Sequence, residues 1–322
     1  NTGEGDLRIF YSRDQQFDNT NYRGEFYGEV VTGLITHNLS FGYTTNTRAS
    51  NTPGVAGGQT IFSQNLYNPR NIEPQSVSFT GAYSAATIDD QGLYVFDRMR
   101  LGDQWQVLAG VRRGDYSSQT GTGPTFKYDE TSPNVSVIYK PTSDVSIYGS
   151  YLEALDEGGT ARFGRANVGE VLPPAVNKQR ELGIKTRLAG GMQAQAALFD
   201  ISRPLVTVDG SNRDVLGGES TYRGLEVSIG GEINRQWSVL ASAVFLDAEI
   251  TSVSTFNAAE LGKTPENTAK GTLSLFAEYR VPSVPSAMGT PCACSITALG
   301  TLPTGRAAAA RSTRSARLNC SS

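Results

Sequence analysis

Residues Lys270–Pro282, KGTLSLFAEYRVP, decide how the rest of the chain is read. Leu273, Leu275, Ala277, Tyr279 and Val281 fall in one row; Ser274, Phe276, Glu278 and Arg280 fall in the other. This period of two belongs to a β-strand with one apolar and one wet face. The same alternation runs backwards through the chain. Trp237, Val239, Ala241, Ala243 and Phe245 oppose Ser238 and Ser242, and Leu182, Ile184 and Thr186 oppose Glu181, Gly183, Lys185 and Arg187. Val145, Ile147, Gly149 and Tyr151 oppose Ser146, Tyr148 and Ser150, while Leu39, Phe41 and Tyr43 oppose Asn38, Ser40, Gly42 and Thr44.

The pattern predicts strands over 6–13, 22–31, 34–46, 78–101, 105–112, 134–140, 145–151, 177–188, 192–203, 222–231, 237–245 and 270–282. That is about twelve strands, most near the ten residues that cross a bilayer at a tilt. The connections alternate in length. Those at Thr32-Gly33, Gly102–Gln104, Pro141–Asp144, Ala189–Gly191 and Asn234-Arg235 are short; those from Thr47, Ser117, Glu153, Pro204 and Thr251 are long. In a meander, alternate connections lie at opposite ends of the sheet, so one end is trimmed and the other decorated. Transmembrane barrels have this asymmetry. Trp105, Tyr139, Trp237 and Tyr279 lie on the apolar face close to short turns, where an aromatic belt at a membrane interface belongs. The alternative is a soluble sandwich or propeller core, which gives no reason to gather aromatics at one end. The wet face carries Arg112, Lys140, Glu181, Lys185, Arg187, Glu226, Glu278 and Arg280, a set that suits a watery or plugged interior better than a dry core.

The totals narrow the class. The chain has 322 residues, and its mean hydropathy of -0.30 fits a soluble all-β protein or a membrane barrel equally. No stretch approaches the roughly 18 apolar residues of a membrane helix. A net charge of -3 gives no basic footprint for nucleic acid. His37 is the single histidine, which excludes a multi-histidine metal site and reads as an ordinary polar side chain. No phosphate-binding glycine loop, HExxH or G-x-S-x-G motif occurs, so no catalytic residue is assigned and the chain is not read as an enzyme.

The two ends depart from the pattern. Asn1–Gly5 carries no secretory signal, and a strand begins almost at once, so the chain is expected to start inside a longer protein. Residues 1–282 read as one barrel segment and 283–322 as an aberrant tail. Ser286–Ser322 lacks Asp, Glu and aromatics and holds Cys292, Cys294 and Cys320, a poor zinc pattern without histidine. Its switch to Ala, Arg, Ser, Gly and Thr reads as out-of-frame translation of a GC-rich gene, or as a disordered segment.

The order of six stretches adds a resemblance. GLYVFDRMRLGDQWQVLAGVRRGDY (92–116), TSPNVSVIYKPTSDVSIYGSYLEAL (131–155), GEVLPPAVNKQRELGIKTRL (169–188), AALFDISRP (196–204), YRGLEVSIGGEI (222–233) and GKTPENTAKGTLSLFAEYRVP (262–282) resemble, in this order and spacing, the barrel of TonB-dependent siderophore receptors. The resemblance implies an all-β, antiparallel up-and-down transmembrane barrel, here part of a plugged barrel of roughly 22 strands. It implies the outer membrane of a Gram-negative bacterium, with outer-membrane lipid, a ferric siderophore and TonB as partners. Iron would be carried only as the chelate, with no resident cofactor or metal. The TonB box, plug and last strands of the family are absent from these residues, so the chain is not expected to transport alone. The loop candidates for chelate contact are Phe62, Tyr67, Tyr116, Phe126, Tyr128, Arg162, Phe163 and Arg165, because aromatics and arginines suit a polar, often anionic chelate. A passive porin, a receptor for haem, cobalamin or glycan, and a soluble β-rich binding protein remain open.

Overall fold

A computed structural model of the chain describes residues 3–9, 14–53, 59–71, 83–280, 293–302 and 315–321. The expected strand ends at 10–13, 78–82 and 281–282, with Cys292 and much of the tail, lie outside the described residues. Among the described residues there are fifteen strands and two short 3₁₀ turns. The strands are β1 (Glu4–Ile9), β2 (Gln16–Thr32), β3 (Ile35–Pro53), β4 (Gln59–Asn65), β5 (Tyr83–Leu101), β6 (Trp105–Thr120) and β7 (Phe126–Tyr139). They continue as β8 (Val145–Asp156), β9 (Ala175–Arg187), β10 (Gln193–Val208), β11 (Asp214–Glu232), β12 (Trp237–Ser252), β13 (Gly271–Arg280), β14 (Ala293–Leu302) and β15 (Ser315–Ser321). β1 pairs with β4, and the other thirteen follow one another in the order β2, β3, β5 to β15. Every pairing between sequence neighbours with a described register is antiparallel.

All five short turns form where the polar dipeptides and glycines place them. Gly33 and Gly102 adopt φ of 62°, a left-handed conformation that tight hairpins require and glycine supplies cheaply. The long connections are shorter than expected, because the strands continue into polar sequence. β3 runs to Pro53, β6 to Thr120, β10 to Val208, and β7 starts at Phe126. Ladder hydrogen bonds involve the backbone, so a strand persists wherever its partner does, whatever its side chains. β14 and β15 continue the sheet from β13 in a region without apolar alternation. An edge strand offers free N–H and C=O groups, so a further strand can pair along it through the backbone alone.

The chain divides into two compact units. The first comprises residues 1–24, 42–93 and 113–129. Polar cross-strand pairs mark it: Thr47 donates to Asp89 (2.7 Å), Tyr43 to Gln91 (2.8 Å), and Arg113 pairs with Asp129.

The second comprises residues 25–41, 94–112 and 130–322. Its register aligns Gly149, Leu182, Leu198, Leu225, Phe245 and Gly271 in one row across six strands. These apolar side chains are not a dry core: Leu182 is 59% and Leu198 58% exposed. On the opposite face, Phe199 stands across from Gly224 and Tyr148 across from Gly183, each ring lying over a backbone with no side chain of its own. Tyr148 also donates to Glu181, which accepts from Gln179, and Lys185 lies 5.1 Å from the Tyr148 ring. His37 is a strand residue, with Nδ1 2.6 Å from Asp97 and Nε2 2.7 Å from Thr32.

Candidate functional site

The buried apolar side chains among the described residues do not line the middle of the sheet. All but Tyr94 collect at the long-connection end of the second unit: Ala161, Leu172, Ala175, Val208, Ala248 and Ile250. Three connections meet there, residues 157–174 after β8, 209–213 after β10 and 253–270 after β12.

Asp214, the first residue of β11, is the centre of this assembly, and its side chain is 0% exposed. It accepts hydrogen bonds from the backbone N–H of Arg162 (2.9 Å) and from that guanidinium at Nε (3.0 Å) and Nη2 (2.7 Å). Arg165 Nε lies 3.2 Å away on the same carboxylate. Asn167 reads the backbone of Asp214 in both directions, accepting from its N–H and donating to its C=O, each at 3.0 Å. The hydrogen bonds from Arg162 hold the Asp214 carboxyl at about 2, against burial, which pulls it up. The third connection joins through Val208. Its N–H donates to Asn257 (2.9 Å) and its C=O accepts from Ser254 (2.5 Å), while the Phe256 ring lies beside Gly210.

The three connections therefore form one hydrogen-bonded platform rather than three loose loops. Phe163 stands outward at 98% exposure, between two arginines that both pair with Asp214. Phe256 and Leu261 are also exposed on the β12–β13 connection.

The structure sorts the residues expected at a site. Arg162, Phe163 and Arg165 do stand on a long connection, but both guanidiniums are engaged by Asp214. Phe62, Tyr116, Phe126 and Tyr128 do not stand on loops; they lie in β4, β6 and β7, because the strands run on through polar sequence. Tyr67 follows β4 and is exposed, its backbone N–H capped by Asn65. Asp214 carried no signal: it lies 52 residues from Arg162, inside a stretch that read as loop. Among the described residues, no group of three or more His, Cys, Asp or Glu could hold a metal ion.

The other end of the second unit carries the four aromatics expected at an interface. The rings of Trp105 and Tyr139 pack at a tilt with centroids 4.6 Å apart, and those of Trp237 and Tyr279 with centroids 4.8 Å apart. Both pairs stand beside short turns on the apolar face. Ten residues further along β12, that face turns abruptly polar, with Tyr151, Arg180, Asp200, Arg223 and Asp247 in register across five strands. The next row is Glu153, Lys178, Ser202, Thr221 and Glu249.

The family model "TonB dependent receptor-like, beta-barrel" matches residues 1–300. The chain belongs to the TonB-dependent receptor β-barrel family. Ferrichrome receptor FcuA of Yersinia enterocolitica is 29% identical over 282 residues, covering 81% of this chain and 36% of FcuA. The ferrichrome outer membrane transporter/phage receptor of Escherichia coli K12 is 25% identical over 288 residues, covering 84% of this chain and 37% of that protein. The fold is that of solved receptors. BauA, the ferric preacinetobactin receptor of Acinetobacter baumannii, aligns with a TM-score of 0.75 at 23% identity over 93% of this chain and 46% of BauA. The ferric-catecholate import receptor Fiu of E. coli K12 aligns with a TM-score of 0.75 at 18% identity, over 89% of this chain and 44% of Fiu. The chain thus spans a little over a third of these curated relatives and under half of these solved receptors.

Proposed function

We propose that this chain forms part of the outer-membrane wall of a receptor that captures an iron–siderophore chelate outside the cell and imports it with energy passed through TonB. The observation that carries the membrane reading is a length. Trp237 and Asp247 bracket the apolar stretch of β12. Ten residues at about 3.3 Å each make about 33 Å. At the tilt of membrane strands this is about 25 Å of thickness, the height of the apolar band on an outer-membrane barrel. An aromatic girdle at one limit and a charged row at the other complete the profile.

The relatives named for ferrichrome and catecholate siderophores support the cargo class. The opposite face, with its Tyr148–Glu181–Lys185 network, suits a hydrated or plugged interior. The platform supplies an exposed aromatic, Phe163, on a fixed backbone, and a pre-set aromatic loses little conformational freedom when a chelate stacks on it. The role is binding and transport; iron is cargo, not a resident cofactor.

The test is uptake of radioactive iron by cells lacking other siderophore receptors and expressing the complete protein that contains this chain. Ferrichrome and a ferric catecholate are supplied separately. Uptake of either should vanish when TonB is deleted. Uptake that survives the deletion indicates a passive pore and refutes the proposal. In the purified receptor, Phe163→Ala should weaken chelate binding about fivefold, the size of one aromatic contact. Unchanged affinity removes Phe163 from the site.

A further inference from the structure

Thr32, His37 and Asp97 form a relay that transport does not use. His37 Nδ1 lies 2.6 Å from Asp97 Oδ2, and Thr32 Oγ1 lies 2.7 Å from His37 Nε2. A carboxylate only accepts, so Nδ1 carries the ring proton. In the neutral imidazole Nε2 is then bare and accepts from the Thr32 hydroxyl. Asp97 Oδ1 is buried without a hydrogen-bond partner, so among the described residues His37 alone answers this carboxylate. Thr32 closes β2, His37 lies in β3 and Asp97 in β5, all within the second unit. Five and 60 residues separate His37 from the other two, which is why no motif shows in the sequence.

Hydroxyl, imidazole and carboxylate in this order convert an unreactive alcohol into a nucleophile. The ring takes the hydroxyl proton as the oxygen attacks, and the carboxylate holds the tautomer that can take it. Thr32 is exposed, whereas the side chains of His37 and Asp97 are each 20% exposed, so the attacking oxygen is open and its base is sheltered. Gly33, the next residue, takes φ of 62° in the two-residue turn between β2 and β3. Its N–H, outside both strands, is the adjacent donor for charge that develops on an attacked carbonyl oxygen. The surroundings are apolar. His37 continues the row of Leu39 and Phe41, and Asp97 that of Leu93 and Val95, and all four apolar side chains are exposed. The relay thus stands beside a short turn, at the end of the sheet that carries the interfacial aromatics.

We infer that Thr32, His37 and Asp97 hydrolyse acyl esters held at the membrane interface. Thr32 Oγ1 bonds to the ester carbonyl carbon while its proton passes to His37 Nε2. The C–O bond to the alcohol breaks, and the alcohol leaves with that proton. Water then attacks the acyl-threonine, its proton returns through His37 to Thr32 Oγ1, and the carboxylic acid is released. The choice of substrate rests on the membrane reading above; the relay rests on its own geometry.

The experiment uses the complete receptor, purified in detergent from outer membranes. The wild type should hydrolyse 4-nitrophenyl octanoate in mixed micelles and carry an octanoyl group on the tryptic peptide Gly24–Arg48, read by mass spectrometry. Thr32→Ala should lose both. His37→Gln and Asp97→Asn should slow turnover about a hundredfold to ten-thousandfold, the usual worth of a general base. Thr32→Ser should keep both the adduct and the turnover, which a hydroxyl that only braced the turn would not explain. Equal turnover by Thr32→Ala, or none by the wild type, overturns the inference. Turnover of 4-nitrophenyl acetate in plain buffer as fast as that of the micellar octanoate overturns the interfacial substrate. Retention of the folded band on unboiled electrophoresis shows that each variant is folded. A protein that fractionates away from the outer membrane sinks the membrane reading instead, so the two failures are distinguishable.

Discussion

Replacing Asp214 by Asn should release the platform without unfolding the sheet. The carboxylate holds two guanidiniums and one backbone N–H, and its carboxyl sits at about 2 rather than the usual 3.8. That difference corresponds to about 2 kcal/mol, and Arg162, 60% exposed, recovers part of its hydration when released. An amide at position 214 can still accept from Arg162 but has no charge, and its NH₂ faces a guanidinium. Two kcal/mol is about thirtyfold in the opening equilibrium. Hydrogen exchange in the complete receptor should therefore quicken about thirtyfold at the amides of Arg162 and residue 214. Leu198 and Leu225, inside the ladder, should keep their rates. Trypsin should newly cut after Arg162 and Arg165. The pH dependence has a definite sign. A depressed carboxyl stabilises the platform fully above about 4, and that contribution is lost as pH falls through about 2. The wild type should loosen in that window, and the variant should show no such change. Unchanged exchange at Arg162, with no new tryptic site, would refute the assignment of Asp214 as the anchor.

Other consequences can be tested on the same protein. A side chain at Gly224 would meet the Phe199 ring and the Phe245 carbonyl oxygen, each 2.5 Å from the new Cβ. Gly224→Val should cost about 1–3 kcal/mol, read as a lower temperature for loss of the folded band on unboiled electrophoresis; an unchanged temperature would show that the ring moves freely. Trp237 should lie at the head-group level, so its fluorescence should be quenched more by lipid brominated near the head group than by lipid brominated at the chain ends. The reverse order would refute the interface assignment. Phe163→Ala and the deletion of TonB test the chelate site and the energy source, as set out above.

The alternation of Leu273, Leu275 and Tyr279 against Ser274 and Glu278 was enough to establish the strands, their meander and the end at which short turns gather. These are local properties: a period of two, a glycine able to take positive φ, and a polar dipeptide each act within a few residues. The four interface aromatics were legible for the same reason, since each lies within a few residues of a short turn; that Trp237 meets Tyr279 was not, because β12 and β13 are joined by a long connection and only their register sets the two side by side. Chain folding alone decided the rest. Polar segments such as Phe126–Asp129 became strand because neighbouring backbones offered hydrogen bonds, which side-chain patterning does not record. Arg162 and Arg165, as residue types, suited a chelate. Only the return of the chain through β9 and β10 brought Asp214 to their guanidiniums and turned two candidate ligand residues into fixtures that hold Phe163. The charged row from Arg180 to Asp247 was likewise scattered through the sequence. Register across four strands aligned it, because antiparallel pairing fixes which distant residues share a height on the sheet.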